Sequence, residues 1–101
     1  MKVQWTHAAI AHLASMYEYI ARDSVRYARR MVDRITARSR QIGRFPRSGR
    51  MVPEYQDPNV REVIEGPYRL IYEVTANAVH VLAVIHGSQL LPSEPPRDPD
   101  A

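Results

Sequence analysis

The second half of the chain allows few folds. Three runs, 60–65, 68–75 and 78–86, are rich in valine, isoleucine and tyrosine, and only Gly66-Pro67 and Ala76-Asn77 separate them. Such residues suit pleated, half-buried backbone, and connections this short join only antiparallel neighbours. The expectation is a three-stranded meander, which needs a cover for its apolar face.

A two-residue turn at Ala76-Asn77, with Asn tolerating positive φ, pairs Thr75 with Ala78, Glu73 with His80, Ile71 with Leu82 and Arg69 with Val84. The pleat then sorts the side chains. Tyr68, Leu70, Tyr72, Val74, Val79, Val81, Ala83 and Ile85 share an apolar face. Arg69, Ile71, Glu73, His80, Leu82, Val84 and His86 share a mixed one. Two registers are open for the first of the three strands. A three-residue connection puts Val60 and Ile64 on the core side and Arg61 beside Arg69 on the mixed face. A two-residue turn would bury Arg61 at a desolvation cost, so the first register is expected.

The cover comes from residues 7–42. Thr6 is a natural N-cap, and Ile10, Leu13, Tyr17 and Ile20 form one apolar stripe on a helix reaching about residue 22, with His12 and Glu18 on the other side. Asp23-Ser24 breaks it. Val25, Ala28, Met31, Val32, Ile35 and Ile42 stripe a second helix that Gly43 should cap. So short a break predicts an antiparallel helix hairpin. Residues 43–59, holding Pro46, Gly49, Pro53 and Pro58, read as a loop whose length hints at function. Residues 2–5 look like a short strand. The fold class is therefore α+β: an N-terminal strand and a helix hairpin packed on a small antiparallel sheet of about four strands. Residues 1–91 form one domain. Residues 92–101, with four prolines, read as a disordered tail.

Composition narrows the chemistry. The 101 residues allow a single domain, and the absence of cysteine excludes disulfides and thiol catalysis. No apolar run approaches the roughly 20 residues that span a bilayer, and the first ten residues lack a signal peptide's apolar core, so a cytoplasmic, membrane-independent protein is expected. Glycine-rich phosphate loops, GxSxG and HExxH are absent. The four histidines show no ligand spacing, so neither a metal nor a cofactor is expected.

The net charge of +3 conceals an asymmetry. Thirteen of the 14 basic residues are arginine. Ten lie between Arg22 and Arg50 against Asp23 and Asp33, giving +8, while residues 51–101 carry −5. Arg26, Arg30, Arg34 and Arg38 recur every fourth residue, as a ridge on the helix face away from the core. With Arg50 they are the expected partner-binding residues; a solvated helix face is the plainer alternative. On the mixed sheet face, Arg61, Arg69 and His86 can converge with Glu54 from the loop. Arginines neutralise a phosphodiester, and a histidine or glutamate moves protons, which suffices for metal-free RNA cleavage. Set against this, Arg69 can simply pair with Glu62 or Glu73, and His80 with Glu73.

Four strings, YIARDSVRYARRMVDRI (19–35), FPRSGRMVPE (45–54), REVIEGPYRLIYEV (61–74) and VHVLAVIHGSQLLP (79–92), in this order and spacing resemble the RelE/ParE superfamily of bacterial toxins. The resemblance implies a toxin of a type II toxin–antitoxin module. Its fold would be a helix hairpin on an antiparallel sheet joined by the N-terminal strand, and its partner an antitoxin in a hetero-oligomer. RelE-like members cut mRNA on the ribosome; ParE-like members act on DNA gyrase. Arg69 matches an arginine of the nuclease members, His86 lies near their terminal histidine, and Glu54 can stand for their glutamate. The loop lacks their lysines, however, and Gly87 follows His86 where some cleavers have tyrosine. YIARDS and VIHGSQ are more similar to the ParE side. A gyrase-directed toxin is thus expected ahead of a ribosome-dependent endonuclease or a binding module that has lost toxicity.

Overall fold

The structure is a computed structural model and describes residues 1–99. The elements run β1 (Lys2–Trp5), α1 (His7–Ala21), α2 (Val25–Arg44), β2 (Arg50–Met51), β3 (Val60–Glu65), β4 (Tyr68–Val74) and β5 (Ala78–His86). The sheet order is β1-β5-β4-β3-β2. The meander is antiparallel as expected, but β1 runs parallel to β5, so the five-stranded sheet is mixed. The two residues of β2 lie within the segment expected to be loop throughout. No described helix is long and apolar enough to cross a membrane.

Both helices start where the caps predict. The Thr6 hydroxyl accepts from Ala9 N and the Ser24 hydroxyl from Tyr27 N, each satisfying an orphan donor of a first turn. The α1 stripe differs from the expected one. Ala9 and Met16 are buried, Leu13 and Ile20 pack beside them, and Ile10 is exposed. The second helix runs past Gly43 to Arg44. Gly43 is needed there for closeness rather than capping. A Cβ would lie 2.6 Å from Val3 Cγ2 and 3.0 Å from Met1 O, and the Gly43 carbonyl accepts from the Met1 ammonium at 2.6 Å. The absent side chain lets β1 cross α2.

The β3–β4 connection is the two-residue turn, with Glu65 paired to Tyr68. Gly66 takes φ +58°, and proline fixes φ near −65°, the combination of a type II′ turn whose twist suits a hairpin. This overturns the expected register. Val63 packs among the helix-side residues, and Ile64 is exposed. The feared cost of burying Arg61 does not arise. Arg61 shares the pleat side of Val63, but its guanidinium donates to the Pro58 and Gly49 carbonyls at 3.0 and 2.8 Å and stays partly exposed.

A bulge resets the third run. Glu73 pairs with His80 and Tyr72 with Val81, as read, but Ile71 pairs with Ala83, leaving Leu82 as the extra residue. From there the expected faces of β5 exchange. Val84 joins the helix-side core of Met16, Met31, Ile35, Leu70 and Tyr72. Ala83 and Ile85 join a second core on the outer face with Val52, Val60, Ile71 and Leu82, against which Tyr55 and Leu91 pack. The β4–β5 turn forms without positive φ at Asn77. The Thr75 hydroxyl closes it, donating to Ala78 O and accepting from Ala78 N.

The free edge of β5 beyond β1 is covered by α1. Thr6 donates its hydroxyl to Leu82 O, and His12 Nδ1 accepts from Val84 N. This places His12 toward the sheet rather than on the solvent side, and burial lowers its pKa. Described residues after β5 have no regular structure, but 91–98 lie along the outer side of the sheet, where a disordered tail was expected. Tyr55 OH donates to Pro92 O, Arg97 pairs with Glu73, and Asp98 accepts from His7 N. Residues 100 and 101 of that segment lie outside the described residues.

Candidate functional site

Four charged side chains meet on the outer face near β3. Arg69 on β4 sits between two carboxylates. Its Nε donates to Glu62 at 2.5 Å, and its terminal nitrogens form a fork on Glu54 at 2.8 and 2.9 Å. Glu62, on β3 across from Ile71, has a fully buried side chain and also accepts from Arg50 Nε at 2.7 Å. The order Arg50, Glu62, Arg69, Glu54 is thus an alternating chain of charge. Glu54 is brought in by a tight turn, where Val52 O accepts from both Tyr55 N and Gln56 N and Gln56 takes φ 51°.

Pairing shifts the titration of Glu54 and Arg69. The Arg69 hydrogen bonds hold the Glu54 carboxyl down at about 2, and the two carboxylates push the Arg69 pKa upward. At neutral pH Glu54 is a carboxylate with little proton affinity, far from the value that suits a general acid or base. Each of the three Arg69 nitrogens directs one N–H to a carboxylate, and only 11% of the side chain is exposed.

The other two candidates stand elsewhere. His86 pairs with Tyr68 on the helix side of the sheet, ring edge to face at 5.5 Å and 83°, and its Nδ1 contacts the backbone N and hydroxyl of Ser88. Arg61 pairs with Tyr72, at the far end of that same side. The expected set of Arg61, Arg69, His86 and Glu54 therefore divides: Arg69 and Glu54 together, His86 and Arg61 apart from them and from each other. The bulge at Leu82 moves His86, and the type II′ turn moves Arg61. Among the described residues, no three His, Asp or Glu side chains gather as a metal-binding group.

The expected arginine ridge is also divided. A four-residue step advances about 40° beyond one helical turn, so a strict i, i+4 row spirals around the helix. By Arg34 and Arg38 it has reached the sheet, and both pair with Glu65, at 2.6 and 3.4 Å. Arg50 is held by Glu62. Arg26 and Arg30 remain exposed, joined on the outward face of α2 by Arg29, Arg40 and Arg44. None of these five forms an ion pair among the described residues. A 3.6-residue period applied to every arginine, rather than the constant four-residue step, would have found them.

Known proteins place this fold. The family described as "ParE toxin of type II toxin-antitoxin system, parDE" matches residues 3–91. The chain belongs to the ParE toxin family. A relative, Toxin RelE2 of Caulobacter vibrioides, is 30% identical over 90 residues, covering 88% of this chain and 98% of its own length. A solved chain of the chromosomal ParDE toxin–antitoxin system from P. aeruginosa has the same fold. Its TM-score is 0.71 at 22% identity, over 85% of this chain and 95% of that one. This ParE-family chain is thus a type II toxin–antitoxin toxin of the RelE/ParE superfamily, and an antitoxin is its expected partner. Within the ParE-family fold the sequence reading missed Glu62 as the centre of the charged cluster. It also missed Tyr72, whose hydroxyl accepts from Gly49 N and donates to Pro46 O.

Proposed function

We propose that this toxin acts by binding rather than catalysis, with DNA gyrase as its target, and that an acidic segment of its antitoxin lies on the outward arginine face of α2. One observation carries the non-catalytic reading. Arg69, the arginine a nuclease would need for phosphate, is clamped between Glu54 and Glu62, and the Glu54 carboxyl, held down at about 2, is far from the range that suits proton transfer. Electrostatic stabilisation of a transition state requires donors aimed at the reacting oxygen, not consumed by resident carboxylates.

Two measurements after brief induction test the target. The expected result is accumulation of cleaved DNA in a gyrase assay with the purified chain, while cellular mRNA stays intact. Cuts within codons on translated mRNA, with gyrase unaffected, would instead establish the endonuclease reading. That reading would require Arg61, Arg69, Glu54 and His86 to be brought together by a rearrangement.

The antitoxin surface rests on five exposed arginines without an ion pair among the described residues, spanning about 27 Å of helix from Arg26 to Arg44. Reversal of Arg26, Arg30 and Arg40 to glutamate should weaken antitoxin binding and flatten its salt dependence, because exposed charge pairs are screened. Arg34→Ala with Arg38→Ala should change affinity little. The opposite ranking removes the outward face from the interface.

A further inference from the structure

We propose that the outer face of the sheet is a peptide-binding groove and that residues 91–98 are its resident, exchangeable ligand. The contacts run in order along the segment and differ in kind. Leu91 packs on the outer core, and the Pro92 carbonyl accepts from Tyr55 OH at 2.9 Å. Arg97 lays its guanidinium on Glu73 with two bonds of 2.8 Å, and Asp57 is 3.7 Å away. Asp98 then accepts from His7 N, at the first turn of α1, and meets the His7 ring at 3.4 Å. Neighbouring residues of opposite charge are thus read by groups of the complementary sign, contributed by β4, the loop before β3, and α1. Beside Asp98 and Pro99 lies an open cleft of about 540 Å³ lined by Gln4, Trp5, His7 and His80.

This is how a groove recognises an extended peptide: an apolar anchor, one main-chain hydrogen bond, and a basic–acidic pair at a fixed distance. The resident segment has the composition of an easily released strap. Prolines 92, 95, 96 and 99 remove backbone donors, no strand pairing holds it, and its ion pairs are solvent-accessible. A partner segment that presents an apolar residue and, six residues on, a basic–acidic pair fits the same groove and displaces it. The proposal is independent of the gyrase reading.

Trp5, the single tryptophan, reports on the cleft. In the full chain, Arg97→Glu should shift Trp5 emission to the red and make the 15N order parameters of Ser93, Glu94 and Asp98 fall below about 0.6. Adding Glu73→Arg to that variant should restore both signals. A synthetic peptide of residues 88–101 should bind the Arg97→Glu chain at least tenfold more tightly than the wild-type chain, where the tethered segment competes at an effective concentration of order millimolar. A scrambled peptide should not bind. The proposal is overturned if those residues are already flexible in the wild type. It is equally overturned if the peptide binds both chains alike or neither.

Discussion

Replacing Arg69 with alanine tests whether the charged cluster is structural. Two interactions are lost. The fork to Glu54 is partly solvated, since 46% of the Glu54 side chain is exposed, and such a pair is worth about 0–1 kcal/mol. The bond to Glu62 is different, because that side chain has no exposure at all. Breaking a buried pair from one side leaves an uncompensated charge and costs about 3–5 kcal/mol. Arg50 still holds the other carboxylate oxygen, which argues for the low end. The expected loss is about 3 kcal/mol for Arg69→Ala, read as a lower urea midpoint at pH 7 with an unchanged slope. Glu62→Gln in the Arg69→Ala background removes the stranded charge and should return about half of it. Acid dependence gives a second reading. The Glu54 carboxyl is held below its ordinary value in the fold, so its contribution is present above about 4.5 and lost as pH falls toward about 2. That part of the acid sensitivity should be absent in Arg69→Ala. A loss under about 1 kcal/mol, with no recovery in the double variant, would refute the structural assignment.

Three further perturbations probe particular contacts. Gly43→Ala gains helix propensity of about 1 kcal/mol yet drives a Cβ into Val3 and Met1 O, so thermal unfolding should show net destabilisation of about 1–2 kcal/mol. Tyr72→Phe strips the partner from the buried Gly49 N and should lower equilibrium stability by about 1–3 kcal/mol. Burial lowers the His12 pKa, so the folded chain takes up fewer protons than the unfolded one below about 6.5, and stability falls as pH drops through that range. His12→Phe should have a smaller difference in urea midpoint between pH 7.5 and 5.5 than the wild type.

Much of the fold was legible because local signals agreed with one another. Thr6 and Ser24 cap where the apolar stripes begin, and Gly66-Pro67 and Ala76-Asn77 sit between runs that can only be strands. The errors have one physical origin: residues compatible with either of two environments. In Val81-Leu82-Ala83-Val84-Ile85 every side chain is apolar, so a bulge leaves no mark in the pattern, and everything after it changes face. Arg61 seemed too costly to bury, but its long stem lets the guanidinium reach backbone carbonyls at the sheet's end. The candidate site suffered most, because His86 and Arg61 both lie on the wrong side of those two irregularities. Arg69 and Glu54 lie on the right side and do meet. Their neighbour Glu62 was legible only as one of two possible partners for Arg69, since alternation alone does not say which carboxylate a guanidinium will choose.

The position of β5 has a consequence for synthesis. The last of the described strands lies inside the sheet, hydrogen-bonded to β4 on one side and, in parallel, to β1, the first of them, on the other. Trp5 waits for Val81, and the start of α1 waits for the Leu82 carbonyl and the Val84 amide. Until those residues have left the ribosome, the early part of the chain can form little more than a helix hairpin with an uncovered apolar face. The sheet can therefore close only once β5 is available to join the first strand to the hairpin. A chain stopped before Ala78 would leave Lys2–Trp5 without the strand it pairs with.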